Sequence, residues 1–532
     1  MRTHNAWAAV IPCSMVLLAL LLGATRGPFY VLGHVDPAYQ YLFSSLAILD
    51  LTPPRHTDHP GTTLQTLGAI VIAIKWGWAS LHATVESLQT HVLMNAESYI
   101  KAINHFLIGL IGFSMFFAGR RLLKHTQSWL AMAVMQITPL FFIQTIISFY
   151  NNSPEPLLIA VVFALIYSLI PCLSPLKPPT DTEQRRFAIL LGIIFGFGLA
   201  TKVTFYPLLL CVFLLPGIRN RAVTAGVTLL SFIFFTLPIL PRYKFMVKWN
   251  IAVLKHSDQY GGGDVGLPTV NKLVENTFYL IDKAPMYFIL LAVFCVAYIH
   301  LRFGQQVPSD RKSRVQRLTG LGLVCMVTQL LITIKHPLDR YLLPTMVFSG
   351  FISASLVYYY TKEVLAYQKL AAANRAIVTS VAVAVALTGP TAWGHMKEVV
   401  HNRKVARAII DLTQKDHCIP MGSYISVYKN FAYWFADNWN AKRLGPTLQA
   451  MNPDALFYEP ANDTFSNFAQ PITRAEVQTI LNDGKCIYLQ TTRKDLFDKK
   501  LVLEEVPREG LAAELPLYEL KGFQNERQLE KS

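Results

Sequence analysis

The sequence predicts a polytopic α-helical membrane protein, with about eleven spans, that ends in a small α/β domain. The mean hydropathy is +0.34, with 52% hydrophobic and 15% charged residues, a balance that favours lipid as the solvent. Apolar runs of near-spanning length recur from Ile11 to Trp393, and the residues after His395 have the composition of ordinary soluble sequence. We therefore divide the chain into a membrane domain, 1–395, and a soluble domain, 396–532.

The predicted spans are separated by short segments that hold most of the lysines and arginines. The first apolar run follows Arg2 and His4 and lacks a small-residue cleavage site, so we interpret it as an uncleaved span rather than a signal peptide. The spans are expected at about 11–30, 100–119, 128–147, 155–171, 187–200, 203–217, 222–241, 285–303, 317–335, 341–360 and 376–393.

The basic residues predict the orientation. The net charge of +15 comes from small clusters between apolar runs rather than from one soluble face, which argues against a nucleic-acid-binding protein. Clusters in alternate loops are cytoplasmic by the positive-inside rule, and an odd number of spans then places the soluble domain outside. The clusters are Arg120, Arg121 and Lys124; Lys177, Arg185 and Arg186; Arg219 and Arg221; Arg311, Lys312, Arg314 and Arg317; and Lys362, Lys369 and Arg375.

One apolar segment, Thr62–Trp78, is expected to lie in the outer interface rather than to cross the membrane. Its length is marginal for a hydrocarbon core of about 30 Å, and its Lys75–Trp78 end (KWGW) is typical of an interfacial anchor. Helix 36–50 is its predicted companion, separated from it by two prolines. Both helices belong to a long first outer loop, at about 31–99.

The cysteines form no metal or redox motif, because five of the seven lie in apolar runs and no CxxC pair occurs. The other two, Cys418 and Cys486, are able to form a disulfide if the soluble domain is extracytoplasmic. Whether they pair is left open by the sequence. Short apolar strands alternate in this domain with helical stretches such as 472–482, which predicts an α/β arrangement.

Two carboxylates stand at the outer ends of predicted spans. Asp36 follows the first span in GHVDPAYQY, and Glu155 begins the fourth span in SFYNNSPEP. A carboxylate at the outer end of a membrane span is placed to take a proton from a substrate, so both residues are candidate catalytic residues. Each also has a structural interpretation: Asp36 before a proline is a good helix N-cap, and acidic residues are common in a first helical turn.

Cations on the same predicted face form a second group of candidates. Topology does not favour positive charge outside, so a cation there needs an anion. Lys202 and Arg340 are suited to hold a phosphate, the arginine as a bidentate fork and the lysine as a point charge. Snorkelling to lipid headgroups is the alternative. The group consists of Lys202, between two spans joined by almost no loop, and Lys335, His336, Arg340 and Tyr341 in one short outer turn.

Two outer loops supply supporting candidates. Asp58 and His59 precede a Pro-Gly turn and either orient a substrate or cap the next helix. His256 and Tyr260 stand in a glycine-rich loop, 255–266, that either closes over a substrate or is a linker. This loop contains GxGxxG, but it follows no strand and opens no βαβ unit, so we reject a dinucleotide site. Walker A, HExxH, GxSxG and DxD motifs are missing from the sequence.

Together these motifs resemble those of the GT-C superfamily of membrane glycosyltransferases, in particular the protein O-mannosyltransferases and the lipid A aminoarabinose transferase. Those families share an early outer Asp, a later His-Pro, two interfacial helices, a Gly-Leu-Ala turn into Thr-Lys, and an outer Arg-Tyr-x-x-Pro. This chain departs from the pattern in having Gly after His-Pro, and Glu155 where relatives often carry Asp. The matching segments here are Asp36, His59-Pro60, Gly198–Lys202 and Arg340–Pro344.

The resemblance implies an inverting glycosyltransferase that uses a polyprenyl-phosphate sugar on the non-cytoplasmic face of a cell-envelope membrane, such as a bacterial inner membrane. Asp36 is the implied base, with Lys202, Arg340 and Tyr341 at the donor phosphate. The implied partners are that donor, an acceptor that is a lipid, glycan or protein, and membrane lipids. No motif requires a cofactor, and the use of a divalent metal is left open.

Two other functions remain alternatives from the sequence. A transporter or flippase for polyprenyl-linked sugars would also have many spans and outer cations. Its usual signature is broken helices in matching halves with charges near mid-membrane, whereas the charges here gather at one face. A non-catalytic membrane scaffold is the third possibility. The side chains of Asp36, Glu155, Lys202 and Arg340 would share one outer cavity in an enzyme.

Overall fold

The computed structural model describes residues 2–31, 35–174, 180–257, 262–266, 268–304, 309–364, 370–423 and 427–524, and its description excludes the side chains of 2–6, 35–36, 363–364 and 370–388. The chain forms two compact units. The first consists of Met1–Gly23, Thr57–Leu67 and Asn104–Gly394, and the second of Ala24–His56, Gly68–Ile103 and His395–Ser532. Most of the predicted first outer loop therefore belongs to the same unit as the soluble domain.

The helical architecture confirms the predicted membrane fold class. Among the described residues, nine helices are long and apolar enough to cross a membrane, or ten if one bent pair forms a single span. In chain order to residue 415, the helices are α1 Arg2–Arg26, α2 Val35–Leu49, α3 Thr62–His82, α4 Leu88–Met94, α5 Ala96–Thr126, α6 Trp129–Ile137, α7 Ile143–Phe149, α8 Pro154–Leu173, α9 Asp181–Thr201, α10 Ile218–Phe235, α11 Tyr243–Lys255, α12 Val270–Lys283, α13 Pro285–Phe303, α14 Asp310–Lys335, α15 Leu343–Tyr359 and α16 Leu370–Lys415.

Two of the eleven predicted spans differ from simple crossing helices, and a third is described only in part. Segment 128–147 bends by 84° at Phe142, between α6 with its 3₁₀ extension and α7. Segment 203–217 is a 3₁₀ helix, Val203–Leu214, of only 12 residues, which is unusually long for this conformation. Segment 376–393 lies within α16, and most of its side chains are outside the described residues. The nine or ten candidate spans of the described residues include α3, which we did not count as a span.

Helix α3 contains the segment that we predicted to lie in the interface. Its 21 residues are long and apolar enough to span a membrane. Its exposed side chains include Ile74, Trp78 and Leu81, which suit contact with lipid in either position. The interfacial position of this helix stays a prediction.

The interior of the first unit is built around α8 and α15. These are the most buried of the candidate spans, and they pack against each other, with α6 and α14 also in contact with α15. A helix that is covered on all sides by other helices is apolar around its whole circumference. This arrangement fixes the start of α8 and the turn before α15, where several candidate site residues lie.

Helices α9 and α10 pack closely because glycine faces the contact. A Cβ atom on Gly192 would lie 2.8 Å from the Thr224 carbonyl oxygen, and one on Gly196 would lie 2.7 Å from that of Thr228. Small residues four apart let two membrane helices approach to backbone contact. The close contact holds the end of α9, and hence Lys202, against its neighbours.

The second unit contains one seven-stranded sheet with strand order β4-β3-β2-β1-β5-β7-β6. Its central strands β2, β1 and β5 are parallel, and the outer strands are antiparallel. The predicted α/β architecture is confirmed. The elements are β1 Ile419–Gly422, α17 Lys429–Trp439, α18 Gly445–Met451, β2 Leu456–Glu459, β3 Thr464–Ser466, β4 Pro471–Ile472, α19 Arg474–Asn482, β5 Ile487–Gln490, β6 Leu501–Glu505 and β7 Leu517–Phe523.

A disulfide between Cys418 and Cys486 joins the residues that precede two of the central strands, with the Cα atoms 4.8 Å apart. It lies in a hydrophobic cluster with Tyr428, Tyr488 and Leu517. The apolar stretch 423–428 has the pattern of a strand in the sequence, but the strand is found just before it, at 419–422, and residues 424–426 are outside the described residues.

Asp437 gives the second unit a pH-dependent stability. Its Oδ1 accepts the Leu444 N–H at 3.0 Å, and burial raises the pKa of this carboxyl to about 6 from 3.8. When folding raises the pKa of a group, the resulting stabilisation is complete at a pH below the pKa of the unfolded chain. It is lost as the pH rises through the pKa of the folded protein. The folded unit should therefore weaken between about pH 4 and pH 6, as a buried carboxylate becomes charged.

We expect Asp437→Asn to remove this dependence, because the amide oxygen still accepts the Leu444 N–H and never ionises. Above about pH 6 the variant should be more stable than wild type by about 1 to 3 kcal/mol, with no difference below about pH 4. Limited proteolysis of the full-length protein across this range measures the effect. The exposed Asp483→Asn is the control, and an equal gain at both ends of the range would contradict the titration.

Candidate functional site

Lys202 is placed by a turn between two helices of the first unit. Helix α9 ends at Thr201, and Lys202 is extended, with φ −162° and ψ 134°, before the 3₁₀ helix begins. A Cβ atom on Gly198 would lie 2.5 Å from the Phe205 ring. Packing therefore explains the glycine of the Gly-Leu-Ala motif. Without a Cβ atom it leaves room for the Phe205 ring, so the chain is able to turn at Lys202.

The side chain of Lys202 forms a buried ion pair with Glu155. Its Nζ donates to the Glu155 Oε1, and the two residues are 3% and 5% exposed. Glu155 lies in the first turn of α8, where the helix dipole favours a negative charge. Glu155 thus neutralises Lys202, and its predicted catalytic role stays a prediction.

Arg340 and Tyr341 complete a cluster of four residues around this pair. The Lys202 Nζ lies 5.2 Å from the centre of the Tyr341 ring, and the Arg340 guanidinium carbon lies 5.8 Å from it. Arg340 is near enough to act electrostatically on both Glu155 and Lys202. The cluster thus holds two cations, either of which suits an anion, and its carboxylates are Glu155 itself and, nearby, Asp339 beside Arg340 and Asp58 toward Lys202.

Sequence reasoning missed Gln144, which fixes the turn that carries Arg340. Its Nε2 donates to the Asp339 Oδ2 at 2.6 Å, and the Asp339 Oδ1 accepts the Arg340 N–H at 2.9 Å. Gln144 is available because the chain bends just before α7. A polar residue inside predicted span 128–147 was a signal that could have identified it.

Four of the predicted residues line one cavity of about 860 Å³ in the first unit. Most of its wall is apolar and comes from α9, α10, α11, α14 and the 3₁₀ helix. Two further polar residues of the wall, Asn250 and Gln329, were not predicted. The four predicted residues are His59, Lys202, His336 and Tyr341.

The Asp58-His59 segment is tied to the same region. The His59 Nδ1 and Asp58 Oδ2 lie 3.6 Å apart, and Asn250 donates to the Asp58 carbonyl at 3.3 Å. At the start of α3, the Thr63 hydroxyl donates to that of Thr201 at 2.8 Å, beside Lys202.

Lys335 and His336 contact the C-terminal end of α11. The Lys335 Nζ donates to the carbonyls of Val253 and Leu254, at 3.1 and 2.5 Å, and the His336 Nε2 lies 3.2 Å from the Val253 carbonyl. A cation at a helix C-terminus interacts favourably with the helix dipole. Both residues therefore hold a wall of the cavity, in addition to any role toward a substrate.

The remaining candidates lie elsewhere or outside the description. His256 folds into its own loop, where its Nδ1 lies 2.8 Å from the Gly263 carbonyl. Tyr260 is outside the described residues. Asp36 lies in the first turn of α2, in the second unit, and its side chain is also outside the described part. The structure thus brings Glu155, Lys202 and Arg340 together.

Comparison with known proteins identifies the fold. No family model matches the chain, and no curated protein matches it. A solved structure does: the crystal structure of ArnT from Cupriavidus metallidurans bound to undecaprenyl phosphate, with a TM-score of 0.50 and 12% sequence identity. The chain has an ArnT-like fold. The match covers 95% of this chain and 97% of ArnT, so the ArnT-like fold includes both the helices and the C-terminal sheet.

The buried ion pair predicts a strong energetic coupling. Lys202→Met or Glu155→Gln alone should destabilise the first unit by about 3 to 5 kcal/mol, because either change leaves one buried charge without its partner. The double variant should lose much less than the sum. Melting of the full-length protein in detergent measures this double-mutant cycle.

An exposed pair provides the control for this cycle. Lys283 and Asp282 lie 3.1 Å apart, with side chains 49% and 73% exposed, and the same changes there should cost less than about 1 kcal/mol. Additive losses for Glu155 and Lys202 would show that the two charges are not coupled.

Proposed function

We propose that the protein is an inverting glycosyltransferase that moves a sugar from a polyprenyl-phosphate donor to an acceptor hydroxyl on the non-cytoplasmic face of the membrane. The observation that carries this proposal is a buried lysine, beside Arg340, in the wall of a largely apolar cavity. A volume of about 860 Å³ is in the range of ligand cavities. A lipid phosphate is the ligand class that combines an apolar chain with an anionic head.

The cationic cluster suits both binding and leaving-group stabilisation. Arg340 is able to hold a phosphate through two parallel hydrogen bonds, and Lys202 adds a point charge. The Glu155 carboxylate keeps Lys202 in place while no phosphate is bound. Negative charge grows on the phosphate as the sugar departs, so these contacts become stronger in the transition state.

In the proposed reaction, the acceptor hydroxyl attacks the anomeric carbon as the bond from that carbon to the phosphate oxygen breaks. Asp36 takes the hydroxyl proton, and polyprenyl phosphate leaves with the bonding electrons. The new bond forms on the opposite face of the sugar, so the configuration inverts. No redox step or nucleotide is needed.

Two further observations support the donor class and the face of the membrane. ArnT, whose fold the chain shares, binds undecaprenyl phosphate in its crystal structure. The Cys418–Cys486 disulfide supports an extracytoplasmic soluble domain, because structural disulfides persist in oxidising compartments. A polyprenyl-sugar transporter would use a similar cavity, but it would leave the sugar-phosphate bond intact.

The role of Asp36 is tested by Asp36→Asn. The amide keeps the shape of the side chain but is not a base, so turnover should fall on the order of 10²- to 10⁴-fold while donor binding is kept. Release of polyprenyl phosphate from a panel of polyprenyl-phosphate sugars measures turnover. Exposed Asp454→Asn is the matched control. A variant that retains more than about a tenth of the wild-type rate would assign the base to another residue.

The role of Arg340 is tested by Arg340→Lys, which keeps the charge and removes the planar fork. If the fork binds the donor phosphate, kcat/KM for the donor should fall about 10- to 100-fold. Exposed Arg302→Lys is the control and should leave kcat/KM unchanged. If Arg340 only snorkels to lipid, Arg340→Lys should equal wild type, and the phosphate site would lose its support.

A further inference from the structure

Helix α11 has a face that lines the cavity and an opposite side that carries exposed lysines. One face carries Met246, Trp249, Asn250 and Val253, which line the cavity. Lys244, Lys248 and Lys255 are exposed on the opposite side. At 3.6 residues per turn, these three lysines fall within an arc of about 40°. We call them the lysine stripe.

Apolar side chains flank the lysine stripe. Val247, Ile251 and Leu254 are 48%, 44% and 75% exposed. They also line the cavity, and at i, i+4 and i+7 they form a second row between the stripe and the other cavity-lining side chains of α11. Such a helix, with an exposed apolar row next to a basic row, is suited to lie along a membrane surface. The apolar row then enters the acyl boundary, and the ammonium groups reach the headgroups.

The charges of the lysine stripe are not balanced locally. No acidic residue occurs in the sequence between Glu183 and Asp258. Within the described residues, none of the ion pairs involves a lysine of the stripe. Three adjacent ammonium groups repel one another unless anions approach them. The stripe is therefore a row of exposed cations that an anionic surface would suit.

The position of α11 indicates which partner this is. Lys335 and His336 fix its C-terminal end, and Asn250 holds its middle to the Asp58 carbonyl, so the helix is held in place with the stripe turned away from the cavity. In the topology predicted from the sequence, residues 242–284 and Lys202 lie on the same outer face, where the positive-inside rule gives no reason for cations.

We propose that the lysine stripe of α11 binds the headgroups of anionic phospholipids in the leaflet next to the cavity. The partner is the lipid surface itself, not the donor and not an acceptor. The binding is independent of the glycosyl transfer proposed above, because it requires only the exposed side of α11. It would hold the outer side of a cavity wall at the membrane surface.

The test uses the full-length protein in nanodiscs of equal parts phosphatidylglycerol and phosphatidylcholine, and native mass spectrometry counts the lipids that remain bound. Wild type should retain phosphatidylglycerol in preference. Each lysine near an anionic surface contributes roughly a fivefold preference, so Lys244→Gln with Lys248→Gln and Lys255→Gln should remove most of it. High salt should weaken the preference of the wild type as well.

Two control variants distinguish an effect of the lysine stripe from an effect of total charge or of misfolding. Lys415→Gln with Lys485→Gln and Lys499→Gln removes the same charge from exposed positions of the second unit and should keep the preference. The three stripe positions changed to Arg should keep it too, because the charge is retained. Equal retention of the two lipids by wild type, or an undiminished preference in the folded Gln variant, would overturn the proposal.

Discussion

The ion pair between Lys202 and Glu155 is the interaction on which the membrane unit depends. Each charge is buried almost completely, and a buried charge is costly unless a partner compensates it. The structure therefore has to bring the first turn of α8 to the end of α9. The helix dipole at the start of α8 helps to compensate the carboxylate. The backbone turn that Gly198 permits aims the ammonium group at it.

The same pair organises the chemistry around it. A lysine paired with one carboxylate lies in the wall of a cavity that is otherwise mostly apolar, with Arg340 near the pair. The tertiary structure fixes the turn that carries Arg340 through Gln144 and Asp339. The contacts from Lys335 and His336 to α11 hold a wall of the cavity.

Several candidate residues were predictable from their positions at the ends of predicted spans. Lys202, His336 and Tyr341 follow or precede apolar spans, at the ends that the charge pattern predicts to be outside, and the structure places them around one cavity. Gln144 and Asn250 were not predicted. The place of Gln144 inside a predicted span was a signal, but the local sequence does not indicate the partner of either residue. Their hydrogen bonds join residues that are 195 and 192 positions apart. His256 is the opposite case: we predicted it as a site residue, but its partner is the Gly263 carbonyl in the same glycine-rich loop.

The sequence by itself determined the membrane class of the protein, the α/β nature of its C-terminal part and the end of the membrane unit at which charges gather. These follow from hydropathy and charge pattern, which are sums over neighbouring residues. Only the tertiary structure decided that Glu155 meets Lys202, that the chain bends at Phe142, and that Cys418 pairs with Cys486. Such choices depend on which distant segments pack together, because a buried charge, amide or thiol takes its partner from whichever segment the fold places beside it.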